Sequence, residues 1–191
     1  MDFSSKQFET LDSARKMPWR GLLVLAAQLG AYAWTESQVS SMLGSVAMGL
    51  KDPVQKVRVN AQSSKHRWHS ELFFDRLPVL STVFPEEFVR APNPEITAFL
   101  SLVGAAPSPF EQLIGLQLVL LPSLLTTYLE ELTSLSEVAD ASSCRALRLV
   151  IADTQQEILD PSVDLERGSH LEAELQRVWQ SSQGLNPLQI R

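Results

Sequence analysis

Cysteine is almost absent from this sequence, in which Cys144 is the single residue of that type. One cysteine excludes an internal disulfide framework and a cysteine-rich zinc site. Basic side chains are in the minority, with 16 against 22 acidic ones and a formal net charge of −6. We therefore expect neither a nucleic-acid partner nor an anionic membrane surface. Phosphate-binding loops, dinucleotide fingerprints and the Gly-x-Ser-x-Gly elbow are also missing.

Targeting signals are equally scarce. The first ten residues lack the basic region followed directly by an apolar run that a secretory signal needs. The uncharged runs at 21–35 and 113–129 are shorter than the about 20 apolar residues of a spanning helix. We expect both runs to be buried helices of a protein without membrane contact, with the cytoplasm as the default compartment.

Strand signals are nearly absent, because no Asn-Gly or Asp-Gly turn and no sustained alternation occurs. Apolar residues instead recur at helical spacing between prolines. This pattern predicts four long helices within 18–50, 53–77, 108–135 and 136–160, a short one at 93–102, a charged accessory helix within 162–181 and a tail at 184–191. Residues 1–160 would form the bundle and 161–191 the accessory helix and tail.

The connections between the long helices predict how they are joined. The first and second helices, and the third and fourth, are separated by short connections, so each pair is expected to form an antiparallel hairpin. The connection between the two hairpins is long and rich in proline. The sequence therefore predicts an all-α four-helix bundle of two hairpins joined by a long crossover. Pro122 within the third helix predicts a kink.

Polar residues interrupt the apolar faces of the first two helices. Glu36 lies on the stripe of the first helix, and His66 and His69 share one face of the second. A buried carboxylate must be paired, protonated or bound to a metal, and both imidazoles at this spacing can reach one point inside a bundle. A carboxylate at the stripe's edge and two separately satisfied histidines are the alternative.

The third and fourth helices add further candidates. Tyr128 and Glu131 lie near the core face of the third helix. Asp153 and Glu157 are one turn apart on the fourth. They either reach the core or form a solvated edge beside Arg145 or Arg148, since their position flanks the apolar stripe.

The helix order and two stretches resemble the ferritin-like superfamily. Residues 63–72, Ser-Ser-Lys-His-Arg-Trp-His-Ser-Glu-Leu, are similar to its second-helix motif, and residues 146–153, Ala-Leu-Arg-Leu-Val-Ile-Ala-Asp, to its fourth-helix region. The resemblance implies a ferritin-like bundle whose two metals are held by one carboxylate from the first and third helices and a Glu-x-x-His from the second and fourth. It covers about residues 15–160.

The resemblance implies metal ligands at specific positions, which are Glu36, His66, His69, Glu131 (or Glu130), Asp153 and Glu157. The sequence departs from the family where Ser63 precedes His66 and where Gln156 follows Asp153, so the Glu-x-x-His signature is missing from both helices. A single iron or manganese ion, or a bundle without metal, is therefore expected in place of a di-iron pair.

Two functions follow from these features. In the first, Glu36, His66, His69 and Tyr128 are catalytic and act on a small organic molecule, either as a metal-dependent oxidase or oxygenase or by metal-free acid–base chemistry. In the second, the chain is a non-catalytic bundle that acts as a homodimer or with a protein partner. Leu165, Leu171 and Leu175 of the last window would then be exposed for docking.

Overall fold

The computed structural model describes residues 21–79, 83–165, 168–182 and 184–185. Residues 18–20 of the first expected helix and 186–191 of the expected tail lie outside this part of the chain. The described residues form helices and no strand, which confirms the all-α class. The helices are α1 (Leu22–Gly49), α2 (Pro53–Phe74), α3 (Pro94–Gly104), α4 (Pro109–Ser134), α5 (Ala141–Leu159) and α6 (His170–Ser181), with a 3₁₀ turn at Pro85–Phe88.

Three helices begin where proline takes the first helical position and a polar side chain caps the free amides. Asp52 accepts a hydrogen bond from the Val54 amide at 2.9 Å before α2. Asn93 accepts one from the Ile96 amide at 3.0 Å before α3. Ser108 does the same before α4. The capping residues visible in the sequence therefore set the boundaries that the structure shows.

α1 and α2 form the first antiparallel hairpin and contact each other along their length. The Ser63 hydroxyl donates to the Ser40 carbonyl at 2.8 Å, and the Ser70 hydroxyl donates to the Ala33 carbonyl at 2.7 Å. Residue numbers rise on one helix as they fall on the other. This register places Glu36 of α1 opposite the middle of α2.

α5 also runs antiparallel to α2, on another side of it. Arg58 pairs with Asp160 at 2.7 Å, and His69 Nε2 lies 3.1 Å from Asp153 Oδ2. α4 packs on α5, and Tyr128 of α4 reaches Glu36 of α1. All four long helices therefore contribute side chains to one buried region.

The long crossover lies close against α1. A Cβ atom at Gly30 would lie 2.1 Å from the Phe88 carbonyl oxygen, so only glycine permits this contact. Phe88 itself is buried. The close approach holds the 3₁₀ turn of the crossover against α1.

α4 contains a π-helical segment, Ile114–Leu120, between two α-helical pieces. The sequence predicted a kink at Pro122, and the wider turns end just before that proline. Proline has no amide hydrogen and cannot donate a hydrogen bond to the preceding turn. The change to π-type hydrogen bonds beside it accommodates this missing donor. Gln117 lies within the wide segment and is buried.

α4 is also the one described helix that is long and apolar enough to cross a membrane by length and composition alone. Half of its most apolar window is buried inside the protein, as in the core helix of many folded domains.

The last window forms a shorter helix than expected, since α6 begins at His170. The expected docking role requires exposed leucines, but the leucines of this window are buried or partly buried. Leu175 is only 2% exposed, and Leu165 and Leu171 pack partly buried against the core. The apolar side of α6 faces the protein because it lies on the π segment of α4.

Candidate metal centre

Glu36 is the fully buried centre of a cluster of polar side chains. Its Oε2 atom lies 2.5 Å from His66 Nδ1 and 3.4 Å from His69 Nδ1. Its Oε1 atom accepts a hydrogen bond from the Tyr128 hydroxyl at 2.6 Å. The apolar stripe of α1 forces this carboxylate inward, and α2 and α4 bring the groups that surround it.

The two histidines use their other ring nitrogens to contact α5. His66 Nε2 lies 3.1 Å from Glu157 Oε2, and His69 Nε2 lies 3.1 Å from Asp153 Oδ2. The spacing of three residues on α2 matches the spacing of four on the antiparallel α5. Each imidazole is therefore held between an outer carboxylate on α5 and the shared carboxylate of Glu36.

The pKa of Glu36 reflects the groups that surround its carboxylate. Burial alone would raise the pKa of Glu36, but the charge and hydrogen bond of His66, with a further contribution from His69, hold it well below its usual range. Glu36 is therefore an anion in the interior of the protein.

His66 is shifted in the opposite direction. Burial acts to lower the pKa of His66, but the charge of Glu36 and the hydrogen bonds to Glu157 and Glu36 raise it to about 10. Burial and the neighbouring charge of Glu36 also raise the pKa of Tyr128. In the metal-free chain at neutral pH, His66 is an imidazolium that donates to two carboxylates, and Tyr128 stays a hydrogen-bond donor.

The cluster fits a metal ion by its donor atoms. One ligand atom each from Glu36, His66 and His69 lies within 4.8 Å of the other two, and all three residues are buried. His69 Nδ1 is buried and has no hydrogen bond from or to any described residue. With both Nε2 atoms engaged by α5, an ion beside Glu36 would be bound by the two Nδ1 atoms, and it would displace the proton that His66 Nδ1 donates to Glu36. The three residues could therefore hold a metal.

The other acidic residues expected as ligands have different positions. Asp153 and Glu157 contact the Nε2 atoms, on the far side of each ring from Glu36, so they are hydrogen-bond partners of the two histidines in this structure. Glu131 is buried on α4 but is not a member of the group of three ligand residues found in the described chain. The ligand role expected for these three residues stays a prediction.

Sequence reasoning missed two features beside the cluster. The Lys65 ammonium lies 3.4 Å from Glu157 Oε1. One turn before His66, Gln62 joins Gln117 and Ser162 in a buried network of neutral groups. The helical row that contains Gln62 and His66 was visible in the sequence, but Ser162 follows α5 in a connection whose path has no local signal.

Comparison with protein-family models, with curated proteins and with solved structures gave no match for this chain.

Proposed function

We propose that this chain is a ferritin-like four-helix protein that binds one iron or manganese ion at Glu36, His66 and His69. The His69 Nδ1 atom carries the proposal, because a buried nitrogen without a hydrogen bond beside a buried carboxylate is costly unless an ion or a proton joins them. The bundle arrangement is supported by the contribution of all four long helices to one cluster.

The donor set supports the choice of metal. Two imidazole nitrogens and one carboxylate suit a divalent first-row ion, and this combination with open positions is typical of non-haem iron oxygenases. When bound, such an ion supplies activation of oxygen or polarisation of a substrate carbonyl. The proposed activity is accordingly an oxidase or oxygenase reaction on a small organic molecule.

The chain's own residues have defined tasks in this proposal. With an ion bound, Asp153 and Glu157 would accept the Nε2–H groups and so leave the Nδ1 lone pairs to the ion. Tyr128 donates to Glu36 Oε1 and so leaves Oε2 as the oxygen nearest to the histidines. The rings of Tyr32 and Phe73 pack on Tyr128 and all three are fully buried, so they would keep water away from the Tyr128 side of the site.

Metal analysis tests the proposal. The full chain, purified without chelator and reloaded under anaerobic conditions with Fe(II) or Mn(II), should hold about one equivalent, as expected for three protein ligands. His69→Ala should fall below about 0.1 equivalent, while His170→Ala, which changes the exposed third histidine, should match the unchanged chain. Metal-free protein after reloading, or equal metal in both variants, would overturn the proposal.

Two conservative variants test whether α5 supports metal binding through its carboxylates. Asp153→Asn and Glu157→Gln keep the side-chain size but remove the anionic acceptor of one Nε2–H group. Each should lower metal affinity about 10- to 100-fold without abolishing binding. Oxygen uptake on admitting air to the Fe(II) protein should be lost in His69→Ala and kept in His170→Ala.

Metal-free acid–base chemistry is the second candidate. The observation that favours it is the 2.5 Å contact of Glu36 with His66, since an adjacent carboxylate and imidazolium form a proton-transfer pair. In this case both Glu36→Gln and His66→Gln would lose activity that EDTA leaves unchanged.

A further inference from the structure

A groove between α2 and α5 opens beside the metal centre and has a volume of about 230 Å³. Charged side chains that are half exposed stand at its rim, and polar side chains that are almost fully buried form its floor. The rim includes Arg58 and Asp160, and the floor consists of Gln62, Glu157 and Ser162. The groove therefore connects solvent with a residue that contacts His66.

Glu157 offers a hydrogen-bond acceptor in this groove. Its Oε2 atom is used by His66, whereas its buried Oε1 atom has no hydrogen bond from any residue in the described ranges. The nearest cation is the Lys65 ammonium at 3.4 Å. This ion pair offsets part of the desolvation cost of the buried oxygen, but it supplies no hydrogen bond. A ligand that donates a hydrogen bond here would offset more of that cost.

The side chains of the floor beside Glu157 are already held in place by hydrogen bonds in the chain without ligand. The Gln117 amide donates to Gln62 Oε1 at 2.9 Å and to Ser162 Oγ at 2.8 Å, and Ser162 donates to Gln62 Oε1 at 2.8 Å. These three side chains come from α2, α4 and the connection after α5. They hold one another in place, so a ligand need not order them.

The charges at the groove select the kind of ligand. Arg58 and Lys65 are balanced by Asp160 and Glu157, and both cations already have an acidic partner. A simple anion would have to compete with these carboxylates. A neutral or zwitterionic molecule with a hydroxyl or amine group needs neither cation, and it would donate to Glu157 Oε1 beside the Lys65 ammonium.

We propose that this groove binds a small molecule that presents a hydroxyl or amine hydrogen to Glu157 Oε1. The coupling of this molecule to the metal centre rests on the proposed function, but binding itself does not. Glu157 would join the ligand to His66 Nε2, on the far side of the imidazole ring from Glu36, so the molecule would influence the metal centre through His66.

NMR titration of the full chain after EDTA treatment tests binding independently of the metal. The probes are glycerol and ethanolamine, which donate hydrogen bonds, and acetate, which only accepts them. At least one donor probe should shift the backbone amides of Ala61 and Gln156 in a saturable manner, with a dissociation constant of about 10 mM for so small a ligand. Acetate should bind more weakly.

Two matched variants localise the effect. Ala61→Phe places a ring in the groove from an exposed position, and Ser64→Phe places the same ring on the neighbouring exposed surface of α2. The first should weaken probe binding about tenfold or more, and the second should leave it unchanged.

Three results would overturn the proposal: no saturable shift with either donor probe, tighter binding of acetate, or equal probe binding in Ala61→Phe. Failure of the metal centre is separable from these results, because Ala61→Phe should still bind metal.

Discussion

Two buried polar clusters share one face of α2, and they differ in kind. Gln62, Gln117 and Ser162 are neutral, and three hydrogen bonds join them, although Gln117 Oε1 has no partner among the described residues. One turn further along, Glu36 and His66 carry opposite charges, and the arrangement leaves His69 Nδ1 without a hydrogen bond. Each cluster therefore leaves one buried polar atom unsatisfied, but only the second also carries the desolvation cost of buried charge.

The largest effect should come from removing the central anion of the charged cluster. Glu36→Ala leaves the buried His66 without its closest counter-ion, so we expect the free energy of unfolding to fall by about 3–5 kcal/mol. Urea unfolding of metal-free protein at pH 7 measures this change. Glu71→Ala, on the exposed side of α2, is the control and should change stability by about 0.5 kcal/mol or less. Equal effects at the two positions would contradict the burial of charge.

The second-largest difference between the clusters should be in how the free energy of unfolding depends on pH. The groups that face His66 are Glu36 of α1, His69 of α2 and Glu157 of α5, with Tyr128 of α4 bonded to Glu36. Because the folded pKa of His66 is raised from 6.5 to about 10, its contribution is complete below pH 6.5 and disappears as the pH rises to about 10.

Glu36 adds the acid limit, since its folded pKa is lowered from 4.5 and its contribution is lost as the pH falls below that value. Metal-free protein should therefore gain most from this pair between pH 4.5 and 6.5. Urea unfolding of the unchanged chain and of Glu36→Gln across pH 4 to 10 reports the difference. A constant difference over that range would refute the assigned charges.

The smallest effect should come from the neutral cluster. Gln117→Ala removes the donor shared by Gln62 and Ser162, and we expect a loss of about 1–3 kcal/mol. The loss should not depend on pH, because no member of this cluster titrates. Gln155→Ala, on the exposed face of α5, is the control and should be close to neutral. A loss that follows the pH profile of the charged cluster would show that the two clusters are coupled.

Much of the fold was accessible from the sequence because its signals are local. Asp52-Pro53, Asn93-Pro94 and Ser108-Pro109 mark helix starts that the structure confirms. The inward position of Glu36 was one of two alternatives that its place on the apolar stripe allowed, and the structure shows the side chain buried. These features depend on a residue and its neighbours within a few turns.

The remaining features depend on contacts between distant segments. Asp153 and Glu157 flank the apolar stripe of α5, and only the position of α2 decides that they turn toward the histidines. Leu175 looked like a surface residue of an accessory helix and is buried because α6 lies on α4. Ser162 meets Gln62 across a sequence separation of 100 residues.

The π segment of α4 determines where this helix can tolerate the loss of a residue. A π turn accommodates one residue more than an α turn, so the pieces before Ile114 and after Leu120 keep their orientations although the helix between them is overlong. Deleting a residue of α4 between the wide segment and Tyr128 would rotate Tyr128 by about 100° away from Glu36. Deletion within 114–120 would instead convert the segment to an ordinary helix, with Tyr128 still in place and only the neighbourhood of Gln117 disturbed.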